Sequence, residues 1–272
     1  MIHVGTSGYS YDDWHGPFYP EGLAPSQRLA YYARFFDCVE VNSSYYRQPT
    51  VAQTAGMAAR VPAHFAFAIK AWGGLTHDHE AATRADFARF ADALAPLRER
   101  GQLACVLAQF PHAFAPTRAT VAYVRRLRDE WPELPLAVEF RHVGWHDARA
   151  TELAQTLGLG WCNVDEPDLP GLLPPTETVT AAPAYVRLHG RNADRWYNHA
   201  EAWERYDYLY DTETLHEWAE RVKRMAKSAD SLYVFFNNHY VAQAVVNARD
   251  LLDELGLSPG GTETAETADV DR

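Results

Sequence analysis

The sequence predicts an α/β chain folded as a TIM-type (β/α)8 barrel. Three observations carry this: β-rich runs alternate with amphipathic helical stretches, the runs number eight, and all fall within about 250 residues, the usual span of such a barrel. The strands are read at residues 2–7, 38–43, 65–70, 103–110, 136–141, 159–165, 184–189 and 232–237. Helical periodicity falls between them at residues 26–36, 51–60, 83–100, 117–131, 147–157, 212–228 and 241–255. Ser26, Thr83, Thr117, Asp147 and Thr212 stand where a side chain can cap the free amides of a first turn. One unit departs from the repeat. After the sixth strand come Pro167, Pro170, Pro174 and Pro175, which no continuous helix tolerates, so an extended loop is expected to replace helix six. A doubly wound sheet is the alternative arrangement. Residues 1–256 are read as one barrel domain and 257–272, acidic and without aromatics, as a disordered tail.

Composition narrows the setting. With 272 residues, 47% hydrophobic and 22% charged, the chain has ample material for a large core and is not disordered as a whole. No apolar run reaches the roughly 18 residues of a membrane span, and the first residues lack the basic start and apolar stretch of a secretory signal, so a cytoplasmic protein is expected. Cys38, Cys105 and Cys162 are far apart and odd in number, which favours buried free thiols over disulfides. The net charge of −11 disfavours nucleic acid as a partner, although a local basic pocket survives such an average. Only three lysines, Lys70, Lys223 and Lys227, stand beside 22 arginines.

Side chains alternate faces along a strand, so each run divides into a helix-facing set and a barrel-facing set. Val39 and Val41 oppose Cys38, Glu40 and Asn42; Phe65, Phe67 and Ile69 oppose Ala66, Ala68 and Lys70; Leu136, Val138 and Phe140 oppose Ala137, Glu139 and Arg141. Cys162 and Val164 oppose Trp161, Asn163 and Asp165; Val186 and Leu188 oppose Tyr185, Arg187 and His189; Val234 and Phe236 oppose Phe235, Asn237 and His239. Taking the apolar set as helix-facing puts the polar sets inside. They gather towards the C-terminal strand ends, where barrel enzymes carry their sites. Glu40, Lys70, Glu139, Asp165 and His189 are the candidate catalytic residues, as acids, bases or metal ligands. Ser7, Asn42, Gln109, Arg141, Arg187, Asn237, Asn238 and His239 are the candidate ligand contacts. Burying so many ionisable groups costs several kcal/mol per unpaired ion, so the deepest three, Glu40, Glu139 and Arg187, could equally form a salt-bridged plug.

Other signals are weaker. Gly5-Thr6-Ser7-Gly8-Tyr9 is neither a dinucleotide nor a phosphate-loop fingerprint, nor a nucleophile elbow, and reads as a tight turn at the barrel mouth. No nucleotide cofactor is implied, and a divalent metal stays open. His77 and His79, with Asp78 and Glu80, read as a solvated loop in preference to a metal site. Asn238 stands where it could cap the last helix, whose first amides could meet an anion. The aromatic segment 191–211 reads as an insertion that covers the barrel mouth more than it lines a cleft.

Several long motifs, in order, resemble the YecE-like family, catalogued as domain of unknown function 72. They are GTSGYSY at 5–11 followed by Trp14, FYPEGL at 18–23, VEVNSSYYR at 39–47, FAIKA at 67–71, QFP at 109–111, VEFRH at 138–142 with Trp145, YVRLHGR at 185–191 and YVFFNNH at 233–239. Tyr9 and Tyr45 stand where the family often has Trp and Phe. The resemblance implies a TIM-type barrel and no established reaction.

The leading expectation from the residues is an enzyme acting on a small phosphorylated or polyhydroxylated compound, with Lys70, Arg141 and Arg187 on the anion. The alternatives are a metal-dependent phosphodiester hydrolase or nucleic-acid binder, and a non-catalytic sensing barrel.

Overall fold

The computed structural model describes residues 1–258. Its strands are β1 (Ile2–Thr6), β2 (Cys38–Val41), β3 (Ala66–Lys70), β4 (Leu103–Gln109), β5 (Leu136–Glu139), β6 (Gly160–Asp165), β7 (Ala184–Leu188) and β8 (Leu232–Phe236). All neighbours are parallel, in the order β1-β8-β7-β6-β5-β4-β3-β2. The ring closes where Ser7 bridges Glu40 and the Gly8 amide donates to the Glu40 carbonyl at 2.7 Å. Eight parallel strands closed in this way form the expected TIM-type barrel.

The helices are α1 (Arg28–Tyr32), α2 (Ser43–Tyr46), α3 (Val51–Ala58), α4 (Arg84–Ala93), α5 (Ala95–Glu99), α6 (Arg118–Glu130), α7 (Ala148–Thr156), α8 (Ala193–Trp196), α9 (Thr212–Ala226) and α10 (Gln243–Glu254). Thr83, Thr117 and Asp147 cap α4, α6 and α7 as expected. Ser26 does not cap: it lies inside the 3-10 turn Pro25–Gln27. Thr212 is the first residue of α9, and Asp211 accepts from the Thr214 amide in its place. The single helix expected at 83–100 breaks at Leu94, because Pro96 in the first turn of α5 has no amide to continue the ladder. Val241 and Ala242, at φ 46° and 61°, separate the last strand from α10, so Asn238 caps nothing.

Between β6 and β7 there is no helix, and the proline-rich chain runs extended as expected. Its anchor is Asn163, whose Oδ1 accepts from Thr176 Oγ1 and the Thr178 amide, each at 2.7 Å, while Nδ2 donates to the Thr178 carbonyl. Asn163 therefore points outward. The register agrees: Cys162 pairs with inward Tyr185, Asp165 with outward Leu188, and Trp161 with outward Val138. Strand six thus faces opposite to expectation, with Cys162 and Val164 inside and Trp161, Asn163 and Asp165 outside. The cause is the missing helix. A strand backed by an amphipathic helix presents it an apolar row, but one backed by a polar loop presents hydrogen-bonding groups instead.

The three cysteines are free and buried. Among the described residues no helix is long and apolar enough to cross a membrane. Leu257, expected to begin the tail, packs against the core and donates its amide to the Leu252 carbonyl at 2.9 Å. The remainder of the tail, 259–272, lies outside the described residues.

Candidate functional site

Strands two, five and seven send Glu40, Glu139 and Arg187 into the barrel, and the three side chains are almost wholly buried. Arg187 donates from Nη2 to Glu40 Oε1 at 2.7 Å and from Nη1 to Glu139 Oε2 at 2.6 Å. Tyr185 donates its hydroxyl to Glu40 Oε2 at 2.8 Å. Arg141 extends the chain upward, pairing through Nε with Glu139 Oε1 and through Nη1 with Glu166 Oε2 at 3.0 Å. His189 closes one side, with Nε2 3.0 Å from Arg141 Nη2 and Nδ1 3.0 Å from the side-chain amide of Asn237. The plug arrangement is therefore what occupies the barrel's upper interior.

This network controls protonation. Burial opposes ionisation of Glu139, but the adjoining Arg141 and Arg187 outweigh it and hold the carboxyl well below its usual range. Burial, followed by repulsion from the same two guanidiniums, keeps His189 neutral. Burial pushes Glu166 up to about 7, an effect Arg141 only partly offsets.

Above the plug opens a cavity of about 620 Å³. Its wall carries Lys70, Arg141, Arg187 and Arg205, with His77, His199 and His239, and, among the described residues, no carboxylate. Arg141 and Arg187 spend their charge on the glutamates beneath, whereas Lys70 and Arg205 have no carboxylate within ion-pair distance among the described residues. Lys70 Nζ instead lies 4.5 Å from the Tyr45 ring centre, and Arg205 packs over Trp196 and Tyr206. Burial, then the nearby Arg187, lowers the Lys70 amine to about 7 against the pull of Glu139 and Glu40. His77 and His239 fall to about 4, chiefly by burial, and are neutral at physiological pH. Asn42 Oδ1, Arg205 Nε and His239 Nδ1 are buried on this wall without a partner among the described residues. Such atoms mark a place where a ligand or solvent completes the hydrogen bonding.

The loop after β1 forms one rim. Tyr11 donates to the Ser7 carbonyl at 2.6 Å and stacks on His239, with ring centres 4.4 Å apart. Gly8 sits at φ +96°, and a Cβ there would lie 2.5 Å from the Tyr11 hydroxyl, so the turn admits only glycine. Trp14, fully buried, donates Nε1 to the His239 carbonyl at 2.7 Å, and Asp13 accepts from the Val241 amide at 2.7 Å. The first and last loops of the barrel are thereby latched together. The insertion forms the opposite rim: Trp196 and Tyr210 are buried under it as cover, while Tyr206, Arg205 and His199 line the cavity.

Of the residues expected from sequence, the cavity brings together Asn42, Lys70, Gln109, Arg141, Arg187, Asn237 and His239. Glu40, Glu139 and His189 lie in the plug, and Ser7 Oγ is buried without a partner among the described residues. Two expectations are corrected. Asp165 points outward, where it holds Arg191 at 2.8 to 3.1 Å. Asn238 also points away, donating to the Tyr208 carbonyl at 2.8 Å and Asn247 Oδ1 at 2.9 Å, which ties the insertion to α10. The inward carboxylate that sequence reading missed is Glu166, the next residue, whose phase follows once the outer face of β6 is assigned to a polar loop. His77 was missed as solvated; it is half-buried against Tyr45, and His79 packs on Tyr123 and Phe114. Among the described residues no three His, Cys, Asp or Glu side chains converge into a metal-holding group, and guanidiniums engage Glu40, Glu139 and Glu166. This donor set does not fit a divalent cation.

Fold and site together define a TIM-type barrel with a basic cavity over a buried ionic network at the C-terminal strand ends. The family described as "Protein of unknown function DUF72" matches residues 3–270, and the chain belongs to it. The UPF0759 protein YunF of Bacillus subtilis is 29% identical, over 96% of this chain and 97% of its own. Among solved structures, the DUF72 family protein TM1631 of Thermotoga maritima superposes with a TM-score of 0.87 at 41% identity, covering 94% of this chain and 99% of that one. A DUF72 family protein of Enterococcus faecalis, EF0366, gives 0.86 at 29% identity, over 95% and 96%. The membership expected from the motifs holds.

Proposed function

We propose that the cavity binds a small anionic compound, phosphorylated or polyhydroxylated, and that the protein is an enzyme acting on it. The observation that supports this reading is the cavity wall itself: among the described residues it carries Lys70 and three arginines and no carboxylate, and two of these basic residues, Lys70 and Arg205, have no carboxylate partner. An anion entering there gains charge-assisted hydrogen bonds without displacing an existing ion pair. Tyrosine hydroxyls and the amides of Asn42, Gln109 and Asn237 supply neutral donors and acceptors suited to a ligand rich in hydroxyls. Acid–base work falls to Lys70, whose amine changes charge near neutrality.

Calorimetric titration with glycerol 3-phosphate and with inorganic phosphate tests the reading. Binding should weaken about tenfold in Lys70→Met and again in Arg205→Met, the loss expected when one charge-assisted contact of about 1.4 kcal/mol goes. Binding that ignores both substitutions, or no binding of either probe, overturns it.

A further inference from the structure

We propose that Lys70 is a covalent nucleophile, whose Nζ condenses with the carbonyl carbon of an aldehyde or ketone carried by the cavity's anionic ligand to form an imine. The proposal rests on the binding reading above and adds the reaction class. It stands on what surrounds the amine. The side chain leaves the C-terminal end of β3 and enters the cavity with no carboxylate among the described residues within ion-pair distance to hold it as an ammonium. Glu40 of β2 and Glu139 of β5 face it, but both are bonded to Arg187, and Arg141 and Arg187 add positive charge from β5 and β7. Tyr45 and His77 complete the surroundings, the first as an aromatic face 4.5 Å from Nζ and the second as a neutral imidazole. Burial and these cations bring the free amine form into the neutral range, the condition an amine nucleophile needs. Among the described residues no carboxylate lines the cavity to act as a base in its place.

The step balances without a redox partner. The Nζ lone pair forms a bond to the carbonyl carbon, and the π pair moves to oxygen, which takes a proton to give a carbinolamine. That proton comes from Nζ; the nitrogen lone pair then forms the C=N double bond as the C–O bond breaks and the hydroxyl leaves as water with a proton taken from solvent, and the iminium returns its remaining N–H proton to solvent when the neutral imine forms. Arg205 holds the anionic end of the ligand meanwhile.

Lysine scarcity makes the test sharp, since the other two, Lys223 and Lys227, are exposed on or just after α9. The full chain is incubated at pH 7 with dihydroxyacetone phosphate or ribose 5-phosphate and sodium cyanoborohydride, and the reduced adduct is located by peptide mass spectrometry. Expected is one adduct on the Lys70 peptide, at least tenfold above Lys223 or Lys227, suppressed by excess glycerol 3-phosphate and absent in Lys70→Arg. Equal labelling of all three lysines, or none at Lys70, overturns the imine. If glycerol 3-phosphate still binds in the calorimeter in that event, only the imine falls; if it does not, the binding reading falls with it.

Discussion

Removing Arg187 gives the clearest test of the buried network. Arg187 is 2% exposed and its two glutamate partners are fully buried, so Arg187→Met leaves Glu40 with no guanidinium and Glu139 with Arg141 alone. Breaking a buried pair by deleting one partner costs about 3–5 kcal/mol. For a chain of this size each kcal/mol lowers the melting temperature by about 2 °C, so calorimetry at pH 7.5 should show a fall of about 6–10 °C. The pH dependence carries the second half of the argument. In the native protein Glu139 titrates below its unfolded value, so its contribution is complete above about 4.5 and is lost as pH falls through the folded pKa. A buried carboxyl left without its cation titrates above its unfolded value, so it costs least when protonated and more as pH rises. The gap between Arg187→Met and native protein should therefore narrow from pH 7.5 to pH 5.5. Adding Glu40→Gln to Arg187→Met should recover about 1–3 kcal/mol, a coupling that independent sites would not show. A loss under about 1 kcal/mol, a gap that widens on acidification, or strict additivity would refute the assignment of these groups as one ionic unit.

Three further outcomes are expected. Because the Lys70 amine is lowered to about 7, its favourable contribution is present above its unfolded value and lost as pH falls through 7. Relative to Lys70→Met, the native melting temperature should thus rise from pH 7 towards pH 10, and parallel curves would contradict the shift. Asp165→Asn should leave affinity for glycerol 3-phosphate within about twofold, since Asp165 faces outward, whereas Glu166→Gln should tighten it about fivefold, worth about 1 kcal/mol, by freeing charge on Arg141. A loss of binding in Asp165→Asn would overturn the orientation of strand six. Trp14→Phe should cost about 1–3 kcal/mol by stranding the His239 carbonyl, read as a lower urea midpoint at unchanged slope, and an unaltered midpoint would discard the latch.

Much of this was legible because barrel strands obey a two-residue period. The inward placement of Glu40, Lys70, Glu139, Arg141, Arg187, His189 and Asn237 follows from alternation once the apolar row is taken to face the helices, as does the crowding of charge at one end of the barrel. Strand six broke the rule for a local reason. Its alternation was visible, but its sign depended on what lay behind it, and a loop held by Asn163 reverses the usual apolar outer row. Glu166 was hidden by the same inversion. His77 and Arg205 lay in segments without periodicity, so nothing local set their direction.

By itself the sequence determined the eight strands and the helical stretches after seven of them, the caps at Thr83, Thr117 and Asp147, the proline-broken sixth unit and the family. These are short-range properties, set by backbone sterics, side-chain period and the missing amide of proline. Which charges cancel was decided only in three dimensions. Arg187 meets Glu40 across 147 positions of chain and Glu139 across 48, and no local pattern specifies such pairings. Closure of the barrel brings them to within a hydrogen bond, and by consuming Arg141 and Arg187 it leaves Lys70 and Arg205 as the cavity's basic residues without a carboxylate partner among the described residues.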